Sequence, residues 1–359
     1  MNKIKPYRLV RKNIKKLIPY QAKEIPCKIK LDANESPFPV KLSDFISDIN
    51  IPLNRYPDPE ALALRKALGK KVKLNYKKLI VGNGSDELIY YLIVTFGGPV
   101  LYPVPTFAMY KIIAQSVGVE QFESKLDKNF DIKEEEIFKI IKLKKPRLIF
   151  LSSPNNPTGN TFSTDKILKI IEFAKKNSSI VVIDEAYQPF SSNRGFLTFL
   201  KDYDNLLILR TLSKIGFAGL RVGYLIGDEQ FLHEITKVKL PYNLDSITQC
   251  IATEALNKFY SQVNKFISQI VKERDRLYRE LLKIKGVKVY PSEANFILLQ
   301  IKNSKDVYKR LINEGILVRE LSSTIKNAIR VTVGTKDEND EFLKTLRRIL
   351  EETLWEGLL

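Results

Sequence analysis

The stretch TLSKIGFAGLRVG, residues 211–223, holds a lysine among residues that are otherwise small or apolar. Thr211 and Ser213 precede Lys214, and Arg221 follows the lysine by seven positions. A lysine that reacts with an aldehyde does so as the neutral amine, which a desolvated and cationic neighbourhood favours. Hydroxyl groups and an arginine are also good ligands for phosphate. Taken alone, the segment raises the question of why Lys214 and Arg221 share a stretch that otherwise has the composition of a protein interior.

A second motif, VGNGSDELIYYL (81–92), reads as a strand, a glycine turn and a helix. Gly82 and Gly84 permit a tight turn, and Ser85 is a favourable N-cap for a helix whose first turn carries Asp86 and Glu87. Free N–H groups at such a helix start bind phosphate. An ordinary capped turn between a strand and a helix is the alternative.

Two further motifs place polar groups after apolar runs. SSPNNPTG (152–159) predicts a rigid turn that holds Asn155 or Asn156 in one direction, although Asn and Pro are also common in plain loops. VVIDEAYQPF (181–190) puts Asp184 directly after four apolar residues. A carboxylate buried there needs a cation or several donors. A structural salt bridge is the simpler interpretation of Asp184.

These motifs fall on an alternating pattern of strands and helices. Continuous apolar runs predict strands that are covered on both faces, and their alternation with amphipathic stretches predicts a mostly parallel open sheet. Strands are expected at 78–82, 99–103, 147–153, 179–186, 205–211 and 222–227, and helices at 85–96, 107–117, 163–176 and 228–238. Ligands of such sheets bind at the carboxyl ends of the strands, which is where the four motifs lie.

The rest of the chain predicts a smaller α+β domain. A long helical stretch (about 246–285) is followed by short strands, a helix at 304–314 and a closing helix from about 336. We therefore expect an N-terminal segment (1–40) that contributes to the small domain and the active site, a large domain (41–243) and a small domain (244–359).

Composition excludes several classes of protein. The 359 residues carry a formal net charge of +18, but the first 30 residues supply half of it, so a solvated basic arm explains the charge better than nucleic-acid binding. No apolar run is long enough for a membrane span or a signal peptide. Cys27 and Cys250 are isolated, which suits a reducing cytoplasm. His233 is the only histidine and is expected to be structural, and no metal site is expected.

Taken in order, the motifs resemble those of pyridoxal-5′-phosphate enzymes of fold type I, and nearly the whole chain is similar to the histidinol-phosphate aminotransferases. The similarity runs from IPYQA (18–22) and LDANESPFP (31–39) through RYPDPE (55–60), SPNNPTG, DEAY and RTLSK to IRVTVGT (329–335). It implies an α/β fold with a mostly parallel seven-stranded sheet in the large domain, pyridoxal 5′-phosphate as cofactor, and a homodimer with shared active sites.

The resemblance also implies a role for each residue near the cofactor. Lys214 would form a Schiff base with the cofactor aldehyde and then carry the proton between substrate and cofactor. Asp184 would pair with the pyridine nitrogen, and Asn156 and Tyr187 would hydrogen-bond the 3′-oxygen. Tyr110 would stack on the ring.

Phosphate and substrate ligands follow from the same resemblance. The cofactor phosphate would be held by Gly84, Ser85, Asp86, Thr211, Ser213, Arg221 and, from the partner subunit, Tyr56. Arg330 would bind the anion of the substrate, and Tyr20, Asn34 and Arg319 would complete the pocket. One departure concerns the loop that the family often reads as Asn-Glu-Asn-Pro-Tyr-Gly-Pro, because this chain has Ser36 and Phe38 and lacks the glycine.

The implied reaction is transamination of L-histidinol phosphate with 2-oxoglutarate, which gives imidazole acetol phosphate and L-glutamate. Two alternatives on the same scaffold are an aromatic or broad-specificity amino acid aminotransferase and an L-threonine-O-3-phosphate decarboxylase, since both share the cofactor residues. A transcriptional regulator built on this domain is disfavoured, because only about 40 residues precede the first motifs.

Overall fold

A computed structural model describes residues 5–19, 25–44 and 51–356, and two β-sheets organise this part of the chain. The strands are β1 (Ile29–Leu31), β2 (Leu79–Asn83), β3 (Val100–Val104), β4 (Gln121–Lys125), β5 (Leu148–Ser152), β6 (Ile180–Asp184), β7 (Leu206–Thr211), β8 (Val222–Ile226), β9 (Val287–Val289), β10 (Phe296–Ile301), β11 (Ile316–Glu320) and β12 (Ala328–Thr332). The larger sheet has the order β2-β8-β7-β6-β5-β3-β4. Strand β8 runs antiparallel to both of its neighbours, and the pairs from β7 to β4 are parallel.

Both faces of the large sheet are buried. Along β6, Val181 and Ile183 pack into one hydrophobic cluster, and Ile180 and Val182 pack into the cluster on the opposite face. This two-sided burial explains the continuous apolar runs, because side chains alternate between the two faces of a strand. The predicted mostly parallel, seven-stranded sheet is confirmed.

Helices cover these faces and connect the strands. They are α1 (Pro6–Leu9), α2 (Leu62–Val72), α3 (Gly84–Phe96), α4 (Met109–Val117), α5 (Glu134–Lys144), α6 (Thr164–Lys176), α7 (Glu229–Thr236), α8 (Ser246–Glu254), α9 (Tyr260–Leu282), α10 (Ser304–Asn313) and α11 (Lys336–Glu356). The long stretch predicted at 246–285 is interrupted by a π-helical turn at Ala255–Phe259. Helix α7 carries His233, which is exposed.

The smaller sheet joins the two ends of the chain. Its order is β1-β11-β12-β10-β9, and β1 pairs in parallel with β11 through Ile29 and Ile316. The N-terminal segment therefore supplies an edge strand to the C-terminal sheet. The three domain boundaries expected from the sequence stay a prediction.

Sequence reasoning placed six strands of the large sheet within two residues and missed β4. The sequence of β4, QFESK, is largely polar, and the strand lies at the edge of the sheet, where it pairs only with β3. Such a strand has no apolar run that could reveal it.

Candidate active site

The polar motifs meet at the carboxyl ends of the central strands. Strand β6 ends at Asp184, strand β7 ends at Thr211, and Lys214 lies in the short 3-10 turn that follows β7. The Lys214 ammonium is 5.8 Å from the ring centre of Tyr187 and 3.4 Å from the carbonyl oxygen of Ala33. The lysine is half-buried, so it can face a ligand while its stem is packed.

Asp184 is a buried carboxylate without a directly bonded cation among its recorded contacts. Its Oδ2 accepts a hydrogen bond from the Tyr110 hydroxyl at 2.6 Å, and its Oδ1 accepts one from the Ala186 N–H at 3.0 Å. Burial raises the pKa of Asp184 to about 6, although these two hydrogen bonds oppose the shift. The simple structural salt bridge considered for Asp184 is therefore wrong. A cationic ring nitrogen would complete this site.

Tyr110 lies behind Asp184, in a position that differs from the expected one. Its ring is fully buried and stacks on Phe150 at 4.9 Å, and Phe107 contacts it edge-on at 5.6 Å. Burial and the Asp184 carboxylate raise the pKa of Tyr110 well above its ordinary value. Because Phe150 covers one face, the geometry makes Tyr110 a partner of Asp184 and does not present it as an open stacking surface.

The two asparagines of the SPNNPTG turn have different contacts. Asn155 is fully buried and bonds within the protein, to Pro105 O at 2.9 Å and to the hydroxyls of Thr106 and Thr158. Asn156 is half-buried, and its Oδ1 accepts a hydrogen bond from Arg330 at 2.6 Å. Asn155 therefore stabilises the turn, and Asn156 is the one that faces the site.

Tyr187 is held by the N-terminal segment. Its hydroxyl oxygen accepts a hydrogen bond from Asn34 Nδ2 at 2.9 Å, and its ring packs edge-on against Phe296. Asn34 is 1% exposed and adopts a left-handed backbone conformation with φ of 56°. Asn34 was expected to line the substrate pocket, but the structure buries it behind Tyr187.

A close approach of β8 to the start of α3 forms the candidate phosphate site. A Cβ on Gly223 would lie 2.5 Å from the backbone of Gly84 and Ser85, so only glycine allows this contact. Gly84 has φ of +75° and donates its N–H to Arg221 O at 2.5 Å. Arg221 itself has φ of 53°, a conformation that non-glycine residues seldom adopt and that is common at functional sites.

The Arg221 guanidinium has loose partners among the residues that the structure describes. It lies 3.4 Å from Ser213 Oγ and 3.6 Å from Asp86 Oδ2, whereas strong charge-assisted hydrogen bonds measure about 2.7–2.9 Å. Thr211 Oγ1 bonds Ser213 Oγ at 2.9 Å, which places both hydroxyls beside the guanidinium. Burial raises the pKa of Asp86, although Arg221 and Lys214 oppose this shift. An arginine, two hydroxyls and a helix start thus converge where an anion would fit.

Ser85 does not have the expected capping role. Helix α3 begins at Gly84 with Asn83 at the N-cap position, so Ser85 lies inside the first turn. A residue in the first turn of a helix has a backbone N–H without an intrahelical acceptor, and the Ser85 N–H can therefore bind an anion.

The remaining predicted residues lie in three places. Arg330, on β12, donates to Asp32 O at 2.6 Å as well as to Asn156, and it is directly opposite Arg319 of β11 in the antiparallel register. Tyr56 is 82% exposed and stacks on Tyr242 at 4.6 Å. Tyr20 lies outside the described residues.

The departure at Ser36 and Phe38 leaves a defined loop. Ser36 Oγ accepts the Phe38 N–H at 3.3 Å, and the Phe38 ring stacks on Phe266 of α9 at 4.9 Å. Phe38 therefore packs against helix α9.

Sequence reasoning missed Thr332. This residue lies two positions after Arg330 on β12, is 3% exposed and hydrogen-bonds Asn34. The period-2 alternation of a strand puts Thr332 on the same face as Arg330, which is a signal that could have identified it.

Within residues 5–19, 25–44 and 51–356, no helix is long and apolar enough to cross a bilayer. The same ranges contain no group of three His, Cys, Asp or Glu side chains placed to hold a metal ion.

The fold and this cluster define an aminotransferase of class I or II. The chain belongs to that family, because the profile described as "Aminotransferase class I and II" matches residues 27–346. Its cofactor is pyridoxal 5′-phosphate, and the residues present fit it, since loosely paired Arg221 suits a phosphate and buried Asp184 suits a cationic nitrogen.

Similarity to particular proteins is also high. The histidinol-phosphate aminotransferase of Caldanaerobacter subterraneus subsp. tengcongensis is 41% identical over 352 residues, which cover 95% of this chain and 99% of that protein. A crystal structure of the histidinol-phosphate aminotransferase from Clostridium acetobutylicum superposes with a TM-score of 0.84 at 27% identity, covering 90% of this chain and 99% of that one. The enzyme from Sinorhizobium meliloti, solved in complex with pyridoxal-5′-phosphate, has a TM-score of 0.83 at 20% identity over 96% and 98% of the two chains, and it shows the same fold.

Proposed function

We propose that this chain transfers the amino group of L-histidinol phosphate to 2-oxoglutarate and so forms imidazole acetol phosphate and L-glutamate. The observation that carries the transamination chemistry is the convergence of Lys214, Asp184 and Arg221 at the carboxyl ends of the central strands. Similarity over nearly the full length to proteins named histidinol-phosphate aminotransferase supports the choice of substrate.

We assign the proton chemistry to Lys214 and Asp184. When bound, pyridoxal 5′-phosphate supplies an electron-withdrawing ring that takes up the electron pair released at the substrate Cα. Asp184 holds a proton on the ring nitrogen, and this ion pair restores the charged form that burial disfavours. Lys214 moves the substrate proton, since the amine of this half-buried side chain remains accessible to a bound ligand.

We assign the phosphate to the cradle around Arg221. The backbone at Gly84, Ser85 and Asp86 would bind it through the start of α3, as would the hydroxyls of Thr211 and Ser213. The long contacts of Arg221 support this assignment, because an anion there would give the guanidinium the short bonds that its present partners do not.

We revise the origin of the stacking ring. Tyr110 is covered by Phe150 and donates to Asp184, so its role is to orient that carboxylate. Phe107 is half-buried and lies on the loop whose Pro105 and Thr106 bond Asn155 of the SPNNPTG turn. Phe107 therefore supplies the flat apolar face.

Two arginines on neighbouring strands support an anionic substrate. Residues directly opposite in an antiparallel pair lie on the same face, so Arg319 and Arg330 are cross-strand neighbours of like charge. Such a pair is unfavourable unless an anion compensates it. Arg330 would bind the phosphate of histidinol phosphate in one half-reaction and a carboxylate of glutamate in the other.

We also propose a homodimer in which Tyr56 reaches the phosphate of the partner subunit. Tyr56 is exposed on its own chain, close to Tyr242, and Leu53 (75%) and Leu240 (63%) are exposed as well. Large apolar side chains grouped on a surface are typical of an interface. The expected location is the cytoplasm, which the two free cysteines suit; neither nucleic acid nor a membrane is among the partners we propose.

A comparison of amino donors tests the proposed substrate. The ratio kcat/KM is measured for histidinol phosphate and phenylalanine with 2-oxoglutarate, and carbon dioxide release is measured with phosphothreonine. We expect histidinol phosphate to exceed phenylalanine by at least about tenfold, roughly 1.4 kcal/mol. A preference for phenylalanine would indicate an aromatic aminotransferase, and carbon dioxide release from phosphothreonine would indicate a decarboxylase.

A further inference from the structure

A buried chain of hydrogen bonds links the substrate strand β12 to Tyr187. The Asn34 N–H donates to Thr332 Oγ1 at 3.0 Å, Thr332 Oγ1 donates to Asn34 Oδ1 at 3.1 Å, and Asn34 Nδ2 donates to the Tyr187 hydroxyl oxygen at 2.9 Å. All three side chains are at most 4% exposed. Water therefore has little access to these groups, and each proton must find its partner within the protein.

The single proton of the Thr332 hydroxyl fixes the orientation of the Asn34 amide. Thr332 Oγ1 already accepts the Asn34 N–H, so its own proton needs an acceptor, and Asn34 Oδ1 is at the right distance. If the amide were turned over, its NH₂ group would face Thr332, and the buried hydroxyl proton would lose this acceptor. An unmade bond of that kind is unfavourable.

A second contact holds Asn34 from another side. Asn295 Nδ2 donates to Asn34 O at 3.0 Å, and the Asn295 backbone carbonyl accepts the N–H of Val333, the residue after Thr332. The asparagine at position 34 is thus fixed by both its backbone and its side chain, in a left-handed conformation that Asn tolerates better than most residues.

The orientation of Asn34 in turn determines what the Tyr187 hydroxyl can do. A phenol has one proton, and because its oxygen accepts from Asn34 Nδ2, that proton is left to donate elsewhere. Donation toward the site is the property that a tyrosine needs to stabilise the anionic 3′-oxygen of the cofactor.

We propose that Thr332 and Asn34 are positioning residues that set the hydrogen-bond polarity of Tyr187, so that Tyr187 acts as a donor to the cofactor. This inference rests on the proposed function, since it assumes that pyridoxal 5′-phosphate binds beside Lys214. It also connects two parts of the site, because Thr332 lies on the same strand and face as Arg330.

The test is the pH titration of the visible absorption band of the protein loaded with pyridoxal 5′-phosphate, with no amino donor present. A donor to the 3′-oxygen stabilises the form in which that oxygen is anionic and the lysine-bound nitrogen has lost its proton. Tyr187→Phe removes the donor, so the titration midpoint should rise by about one pH unit, as expected for one hydrogen bond to a charged oxygen.

Thr332→Val should also raise the midpoint, by about half a unit to one unit, because the Asn34 amide is then free to turn and accept the Tyr187 proton. Thr332→Ser is the matched control, since it keeps the hydroxyl and should titrate like the wild type. In a Tyr187→Phe background, Thr332→Val should add no further shift, because its effect passes through the Tyr187 proton. Lys214, whose ammonium lies 5.8 Å from the Tyr187 ring, is unchanged in these variants, as are Asp184 and Arg330.

An unchanged midpoint in Thr332→Val, or an equal shift with and without the Tyr187 hydroxyl, would overturn the proposal. If Thr332→Val does not fold, the nearly isosteric Asn34→Asp takes its place, because a carboxylate can only accept the Tyr187 proton. Asn34→Asp should raise the titration midpoint, and most of that rise should be absent when Tyr187→Phe is also present. A rise of the same size with and without the Tyr187 hydroxyl would contradict the inference. If the wild type forms no visible band at all, the proposed function fails, and that result is distinct from any outcome among the variants.

Discussion

Two carboxylates that are adjacent in sequence, Asp184 and Glu185, lie on opposite faces of the large sheet and have opposite surroundings. Glu185 is fully buried, and its Oε2 accepts two hydrogen bonds from Arg210, at 2.7 and 2.8 Å, while its Oε1 accepts the Phe196 N–H at 2.6 Å. Within the described part of the chain, Asp184 accepts hydrogen bonds from the neutral donors Tyr110 and Ala186. The charge of Glu185 is neutralised by the protein itself, whereas we propose that a ligand neutralises the charge of Asp184.

The arginines of the two faces repeat the contrast. Arg210 on β7 has a side chain that is 12% exposed and forms short bonds to one carboxylate oxygen, and Tyr224 lies beside it. Arg221 has a side chain that is 47% exposed, and its contacts are 3.4 Å or longer. Removing one member of the fully paired Glu185–Arg210 pair should therefore destabilise the fold, whereas we propose that the underpaired charges at the strand ends bind a ligand.

Replacing the lysine should give the largest loss of function without loss of fold. Lys214→Ala should lower the rate of transamination by at least about 10³-fold, since general acid–base catalysis alone contributes about 10²–10⁴-fold. The visible band of the lysine-bound cofactor should also disappear. Stability is checked by chemical denaturation and should change little, because Lys214 is half-buried. Retention of turnover would contradict the role of Lys214.

Breaking the Glu185–Arg210 ion pair should have the largest effect on stability. Glu185→Ala leaves Arg210 buried without its carboxylate and should lower the free energy of unfolding by about 3–5 kcal/mol. Glu185→Gln keeps the acceptor for the Phe196 N–H and should lose less. Denaturant unfolding of the protein without cofactor measures both. A loss below about 1 kcal/mol for Glu185→Ala would remove the contrast between the two faces.

Replacing Asp184 should have the opposite effect on stability. The pKa of Asp184 in the folded protein is about 6, above its ordinary value of 3.8, so the folded state binds this proton more tightly. The stability that results is present below pH 3.8 and is lost as the pH rises through 6. Asp184→Asn should therefore stabilise the protein without cofactor at pH 7 to 8, by a value on the order of 2–3 kcal/mol.

The control for this prediction is the pH dependence of the difference between the two proteins. The gain of Asp184→Asn over the wild type should shrink between pH 6 and pH 4, whereas a gain independent of pH would point to packing. Besides burial, the charge of Asp86 is among the causes that raise the pKa of Asp184, so this coupling is part of the pH dependence that the difference measures. The same variant should lose transamination activity, because the ring nitrogen loses its counter-charge.

Arg221 should affect cofactor binding more than folding. Arg221→Lys keeps a charge but not the fork of donors, and it should weaken the binding of pyridoxal 5′-phosphate by about tenfold. Equilibrium titration of the protein without cofactor measures this constant. Arg210→Lys is the matched variant on the other face, and it should lower stability while leaving the constant nearly unchanged. Equal effects of the two variants on cofactor affinity would erase the distinction.

Tyr56 should give the smallest effect. Tyr56→Phe removes one hydroxyl from the proposed partner site and should weaken cofactor binding by about threefold to tenfold in the dimer. The dissociation constant is measured at protein concentrations above and below the dimer midpoint from sedimentation. An effect of the same size in the monomer would show that Tyr56 does not act across an interface.

The sequence predicted the site residues that lie within a single local motif. Lys214, Asp184 and Arg221 lie in motifs with fixed spacing, and their apolar flanks predict strand ends. Contacts between distant segments were not predictable in this way. The Asn34–Thr332 and Arg330–Asn156 bonds join residues 298 and 174 positions apart, and no local pattern encodes either pair. Tyr110 illustrates the same limit, because only the position of Phe150 shows that its ring face is covered.

The pairing of strand β1 with β11 affects when the smaller sheet can form during translation. Its residues, 29–31, are synthesised well before their partners in β11, at 316–318. Strand β1 therefore cannot form this pairing until residues 316–318 have been synthesised. Closing so long a loop adds little to the equilibrium free energy, since each doubling of length costs only about 0.6 kcal/mol. We expect its effect to be on timing instead, with the smaller sheet completed only after translation has passed residue 332, the end of β12.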